Sequence, residues 1–136
     1  MAPARILTVL GPGEALLGTW VAGLPTGRDR GAKYGGTLVL TTQRLIWEPL
    51  NLPAVLKRAP GMRGLEGLTR GMPLDQIVAV RADPDRRALL QIDGLEGSMR
   101  FLIAASRMSP IWSGKNQVAR NGAADAIQAA LSKRRA

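Results

Sequence analysis

The chain has no cysteine and no histidine among its 136 residues. Without cysteine there are no disulfides, thiolate nucleophiles or thiolate metal sites, and nothing argues for an oxidising compartment. Without histidine the commonest general base is missing. No Gly-x-Ser-x-Gly, Ser-x-x-Lys or Gly-x-x-x-x-Gly-Lys motif makes up the loss. A non-enzymatic protein with no cofactor and no metal is the expectation. The close carboxylate pair Asp83 and Asp85 flanks Pro84 beside Arg86 and Arg87, where a turn accounts for it better than acid–base work or metal binding. Asp75 and Asp93 read as isolated positions within strands.

Aromatic residues are few: three Trp, one Tyr and one Phe. The core must then be filled mainly by Leu, Val, Ile and Ala. Trp20, Trp47 and Phe101 sit in strand patterns and read as core, which leaves Tyr34 and Trp112 to stack on a base or to anchor at a head-group interface. Trp112 serves equally well as a packed cover for the helix start. Long apolar runs are also missing. The longest uncharged stretch, 15–27, has thirteen residues broken by Gly18, Gly23 and Pro25, short of the ~20 apolar residues that a membrane-spanning helix needs. Gly11-Pro12-Gly13-Glu14 cuts the apolar residues after Arg5 short of a signal-peptide core. A cytoplasmic protein, or one peripheral at the inner face of the membrane, is expected.

Strand signals dominate what is present. Residues 36–48 are β-formers broken by Thr41-Thr42-Gln43, which predicts a hairpin with strands over 37–41 and 43–48. A first strand is read over 15–22, and the glycine-rich, charged stretch 23–35 reads as a loop. Leu74, Ile77 and Val80, three apart, suggest a short turn leading into a bent or bulged strand. Leu89 to Asp93 and Met99 to Ala104 make a further pair, with Met99, Phe101 and Ile103 on one face, and a seventh strand is placed around 110–113. A helix is read over 123–131 from the spacing of Ala123, Ile127, Ala130 and Leu131, with Asn116 or Asn121 as its cap. By length the chain is one domain. Residues 1–13 read as a leader, 14–133 as the domain, 49–72 as a loop inserted in it, and 134–136 as a basic tail that complements the helix dipole.

Thr41, Arg44, Leu45, Ile46 and Trp47, then Pro73, Leu74, Asp75, Ile77 and Val80, resemble the two core motifs of the GRAM domain. This is a branch of the pleckstrin-homology-like superfamily, and here the likeness is to its stand-alone bacterial type. It covers about 14–133. It implies a mainly β (α+β) fold: a partly open barrel of about seven bent antiparallel strands with one C-terminal α-helix. It also raises the prior for binding over catalysis, although one fold hosts many functions.

Charge is the main hint about partners. Nineteen Lys plus Arg face ten Asp plus Glu, a formal +9 with fifteen of the cations Arg. In pleckstrin-homology domains that bind phosphoinositides the loop between the first two strands supplies the cations, and Arg28, Arg30 and Lys33 occupy the corresponding loop. In the inserted loop Lys57, Arg58, Arg63 and Arg70 would meet anionic phospholipid head groups while Met62, Leu65 and Leu68 dip into the membrane interface. The same apolar residues could instead cover one mouth of the barrel. The expected partner is an anionic membrane surface. A protein-interaction or assembly module of the same fold, including a homo-oligomer, is the alternative. Nucleic acid ranks third, because stacking aromatics are scarce.

Overall fold

The computed structural model describes residues 9–25, 32–49, 71–83, 88–95, 97–106 and 114–135. Its strands are β1 (Leu16–Pro25), β2 (Ala32–Thr41), β3 (Arg44–Pro49), β4 (Met72–Pro73), β5 (Ile77–Ala82), β6 (Leu89–Gly94) and β7 (Gly97–Ala104), followed by helix α1 (Gly114–Arg135). All seven strands join one antiparallel sheet in the order β4-β3-β2-β1-β7-β6-β5. The two outer strands, β4 and β5, are separated in sequence only by the 3-10 turn Leu74–Gln76. A flat sheet of this size is roughly 29 Å wide at ~4.8 Å per strand, and so short a link reaches at most about 14 Å. The sheet must therefore curl until its ends meet. At the seam Met72 lies so close to Gly94 that a Cβ there would come within 3.3 Å of its sulfur and methyl. No ladder joins β4 to β5 among the described residues. The result is a mainly β, pleckstrin-homology-like, partly open barrel with one C-terminal helix.

Alternation along the strands decides what goes inside. Leu38 and Leu40, Leu45 and Trp47, Leu90 and Ile92, and Phe101 and Ile103 all point into one core. Trp47 and Phe101 are fully buried, and Trp20 packs half-buried against the core. Burying each such large side chain contributes about 1.5–3 kcal/mol. The indole Nε1 of Trp47 donates to the Ala22 carbonyl at 3.2 Å, so its polar atom is satisfied inside the core.

The first two strands are longer than the glycine content of 23–35 suggests. Gly23 and Gly35 pair across the β1–β2 ladder. At Gly36 a Cβ would fall 2.6 Å from the Glu48 carbonyl and 2.7 Å from the Trp47 ring. Gly36 thus serves close approach rather than a turn. The bulge expected near Ile77 is present, as a register shift between Ile77 and Ala79 after the 3-10 turn. The seventh strand of the sheet is Met72–Pro73, and residues 110–113 lie outside the described residues.

The helix begins well before 123. Asn116 lies in its first turn and Asn121 further along, so neither caps it; Asn116 Oδ1 instead accepts the Ala105 amide at 2.9 Å, tying the helix to the end of β7. Buried positions recur at Asn116, Arg120, Ala123, Ala124, Ile127, Ala130 and Leu131, one stripe at helical spacing. This stripe packs chiefly on β7 and β5. Asp75 lies on the 3-10 turn rather than in a strand, and the helix takes in Arg134 and Arg135 of the expected tail. No helix among the described residues is long and apolar enough to cross a membrane.

Candidate functional site

Strands β1, β2 and β3 form a meander whose register decides where the basic segments attach. Pro25 pairs with Ala32 and Pro49 pairs with Gly36. The β1–β2 connection at 26–31 and the chain that follows β3 therefore leave the same end of the meander. The latter returns at Gly71 to the opposite end of β3, where Met72 pairs with Leu45. Arg28, Arg30, Lys57, Arg58, Arg63, Arg70, Met62, Leu65, Leu68 and Trp112 lie outside the described residues. Lys33 and Tyr34 belong to β2 rather than to a loop. The anchoring strand ends thus start both connections from one end of the meander.

The charge is unevenly divided. The described residues hold nine cations and six carboxylates, a net +3; the remaining residues hold ten cations and four carboxylates, a net +6. The framework also pairs much of its own charge. Arg44 binds Glu14 through Nε at 2.8 Å and Nη2 at 3.1 Å. Arg134 binds Asp75 through Nε and Nη2, both at 2.9 Å, and Arg81 Nε lies 2.8 Å from Asp93.

Glu14 is the most heavily engaged of these carboxylates. Besides Arg44 it accepts the Thr41 hydroxyl at 2.6 Å and the Gly11 amide at 2.9 Å. The Arg44 guanidinium above all, with Thr41 and Gly11 assisting, holds its carboxyl down from 4.5 to about 2 against the opposing effect of burial. The same pair raises the Arg44 pKa. A carboxylate so occupied is an anchor and not a proton carrier near neutral pH. Thr41 completes the lock, because its Oγ1 also accepts the Gln43 and Arg44 amides at 3.1 and 3.0 Å. The Thr-x-x-Arg motif therefore closes the β2–β3 turn and pins it to the segment before β1, where Arg44 Nη2 donates to the Val9 carbonyl at 2.9 Å.

The surrounding turns converge on the same rim. The Thr42 amide donates to Ala15, the Leu74 amide to Gln43 and the Leu95 amide to Gln76. The Arg134 guanidinium lowers the Asp75 carboxyl from its ordinary value. Five of the exposed large apolar side chains, Val9, Leu16, Leu17, Val78 and Leu95, lie in or within two residues of these linked segments.

Sequence reasoning missed Glu14 and Arg120. Glu14 finds its partner thirty positions away, a pairing no local pattern reveals. For Arg120 a signal was there: Asn116, Arg120, Ala123 and Ile127 follow helical spacing, which puts Arg120 on the buried face. Its Nη1 donates to the Asp83 carbonyl at 2.8 Å and the Leu89 carbonyl at 3.3 Å, clamping both sides of the β5–β6 connection. Searches against protein-family models and against curated proteins give no match for this chain.

Proposed function

We propose that this chain is a non-enzymatic binding module of the GRAM type, cytoplasmic, which makes peripheral contact with anionic lipid through its basic segments. The observation that carries this reading is the division of charge: +6 of the +9 lies outside the self-paired framework. Of this, net +1 lies over 28–30 and net +3 over 57–70, within the two connections that leave one end of the β1–β2–β3 meander. Cations of both connections would meet a flat anionic surface, each adding about 1 kcal/mol near the lipid. Met62, Leu65, Leu68 and Trp112 supply the apolar part of that contact.

Co-sedimentation with anionic and neutral liposomes across a salt series tests the reading. Binding to anionic vesicles is expected to persist at physiological ionic strength and to fall sharply when Arg28, Arg30 and Lys33 are replaced together. Replacing Lys57, Arg58 and Arg63 together is expected to weaken it less. Full binding in both triple variants, or none in the parent protein, would sink the lipid reading.

A second reading, a protein-interaction or assembly module, draws on the apolar rim around Leu16, Leu17, Val78 and Leu95. Exposed apolar clusters of this kind mark contact surfaces. Light scattering over a concentration series separates the two, since self-association would rise with concentration and be insensitive to the basic triples.

A further inference from the structure

The outer face of β5, β6 and β7 carries a polar array that neither reading uses. Arg81, Gln91 and Arg100 stand in one cross-strand row, since Arg81 pairs with Gln91 and Gln91 with Arg100. Asp93 and Ser98 form the next row. Asp93 organises the set: its Oδ1 accepts Ser98 Oγ at 2.6 Å and Gln91 Nε2 at 2.7 Å, and its Oδ2 receives Arg81 Nε at 2.8 Å. With its amide nitrogen committed to Asp93, Gln91 turns its Oε1 toward Arg100 and accepts Arg100 Nε at 3.1 Å.

The chemistry of the array is asymmetric. Arg81 has a carboxylate partner, whereas Arg100 is held by a neutral amide and makes no ion pair with any carboxylate among the described residues. Contact through Nε holds the Arg100 guanidinium beside Gln91 without neutralising it. The group is oriented before any ligand arrives, which lowers the ordering cost of binding. A planar guanidinium with its Nη edge presented is the complement of a tetrahedral oxyanion, which it binds bidentately. Arg81 sits two strands away on the same row and adds a second positive group, so the array has a net charge of +1 with the carboxylate already satisfied.

We propose that this face is a phosphoryl-binding site in which Arg100 is the principal ligand, Arg81 the second, and Gln91 with Asp93 the positioning residues. The phosphoryl group could be free in solution or displayed on a lipid head group, and the shared chemistry is a phosphate monoester or anhydride oxyanion. The residues involved are exposed or half-buried and none belongs to the core, so substitution leaves the fold intact.

The test follows the arginine Nε–H resonances by NMR during titration of the full chain with inorganic pyrophosphate, and separately with phosphatidic acid vesicles against neutral phosphatidylcholine vesicles. Saturable shifts of the Arg100 and Arg81 signals are expected. Arg100→Lys, which keeps the charge but loses the fork, is expected to weaken binding about tenfold, and Gln91→Ala, which keeps both arginines, about threefold. Response to pyrophosphate assigns a soluble ligand; response to phosphatidic acid alone assigns a head group; either supports the site. No saturable shift with either probe overturns it, and so does unchanged affinity in Arg100→Lys, which would reduce the effect to diffuse charge. The readout is local to these side chains, so it stands or falls apart from the liposome experiment on the basic segments.

Discussion

Glu14 carries more of the architecture than any other single charged residue. Its carboxylate joins the turn before β1, the β2–β3 turn and the Arg44 side chain at once. Because its pKa is lowered on folding to about 2, the folded state binds fewer protons than the unfolded chain over that range. The associated stability is therefore fully present above about pH 4.5 and is lost as pH falls through 2. Glu14→Gln is expected to cost about 2 kcal/mol at neutral pH, the exposure of Arg44 reducing the effect. Below pH 2 the variant and the parent should converge, a crossover that denaturant unfolding across the acid range would reveal. Gly36 makes the opposite kind of contribution, through what it lacks. Gly36→Ala drives a methyl into the Glu48 carbonyl and the Trp47 ring, and overpacking of this sort costs about 1–3 kcal/mol. A lowered urea midpoint with an unchanged m-value would register it.

Elements are held to one another by a few side chains that reach across. Arg120 is the main one for the helix: nearly buried, it donates to carbonyls at either side of the β5–β6 connection. Arg120→Leu keeps the apolar stem but strips those carbonyls of a charged donor, a loss of about 2 kcal/mol. Hydrogen exchange should then show the β5–β6 end opening before the rest of the sheet. How legible each element was depended on where its signal lay. The β2–β3 hairpin could be read because its apolar alternation and its polar turn are both local. The bulge at Ile77 could be read from a spacing that fits neither helix nor strand. The early helix turns could not, since Gly114, Asn116, Asn121 and Gly122 all disfavour helix and only the buried stripe overrides them. Strand β4 is two residues long, too short for any periodicity to announce. In the candidate site the cations were identifiable by type. That the connections carrying them start from one end of the meander depended on strand register, which composition does not encode.

At the scale of the whole molecule, charge and stability are carried by different parts of the chain. Three of the framework's six carboxylates are paired with arginines at 2.8–2.9 Å, while most of the excess charge lies elsewhere. Replacing Arg28, Arg30, Lys33, Lys57, Arg58 and Arg63 by Gln takes the formal charge from +9 to about +3 and touches no ion pair described above. Substitutions that touch no packed or paired group change stability by about 0.5 kcal/mol or less each. The thermal midpoint is expected to move by only a few degrees while liposome retention collapses, which calorimetry and sedimentation on one preparation would establish together. The pairing of β1 with β7 also bears on folding in time. Val21 meets Ala104 across more than eighty residues, so the β1–β2–β3 meander can assemble long before its remaining edge has anything to pair with. During synthesis that edge stays open until the last strand emerges, and an unpaired edge is an invitation to the wrong partner. Non-local closure of this kind is slow. The interval before β7 arrives is thus the period in which a nascent chain is most exposed to aggregation.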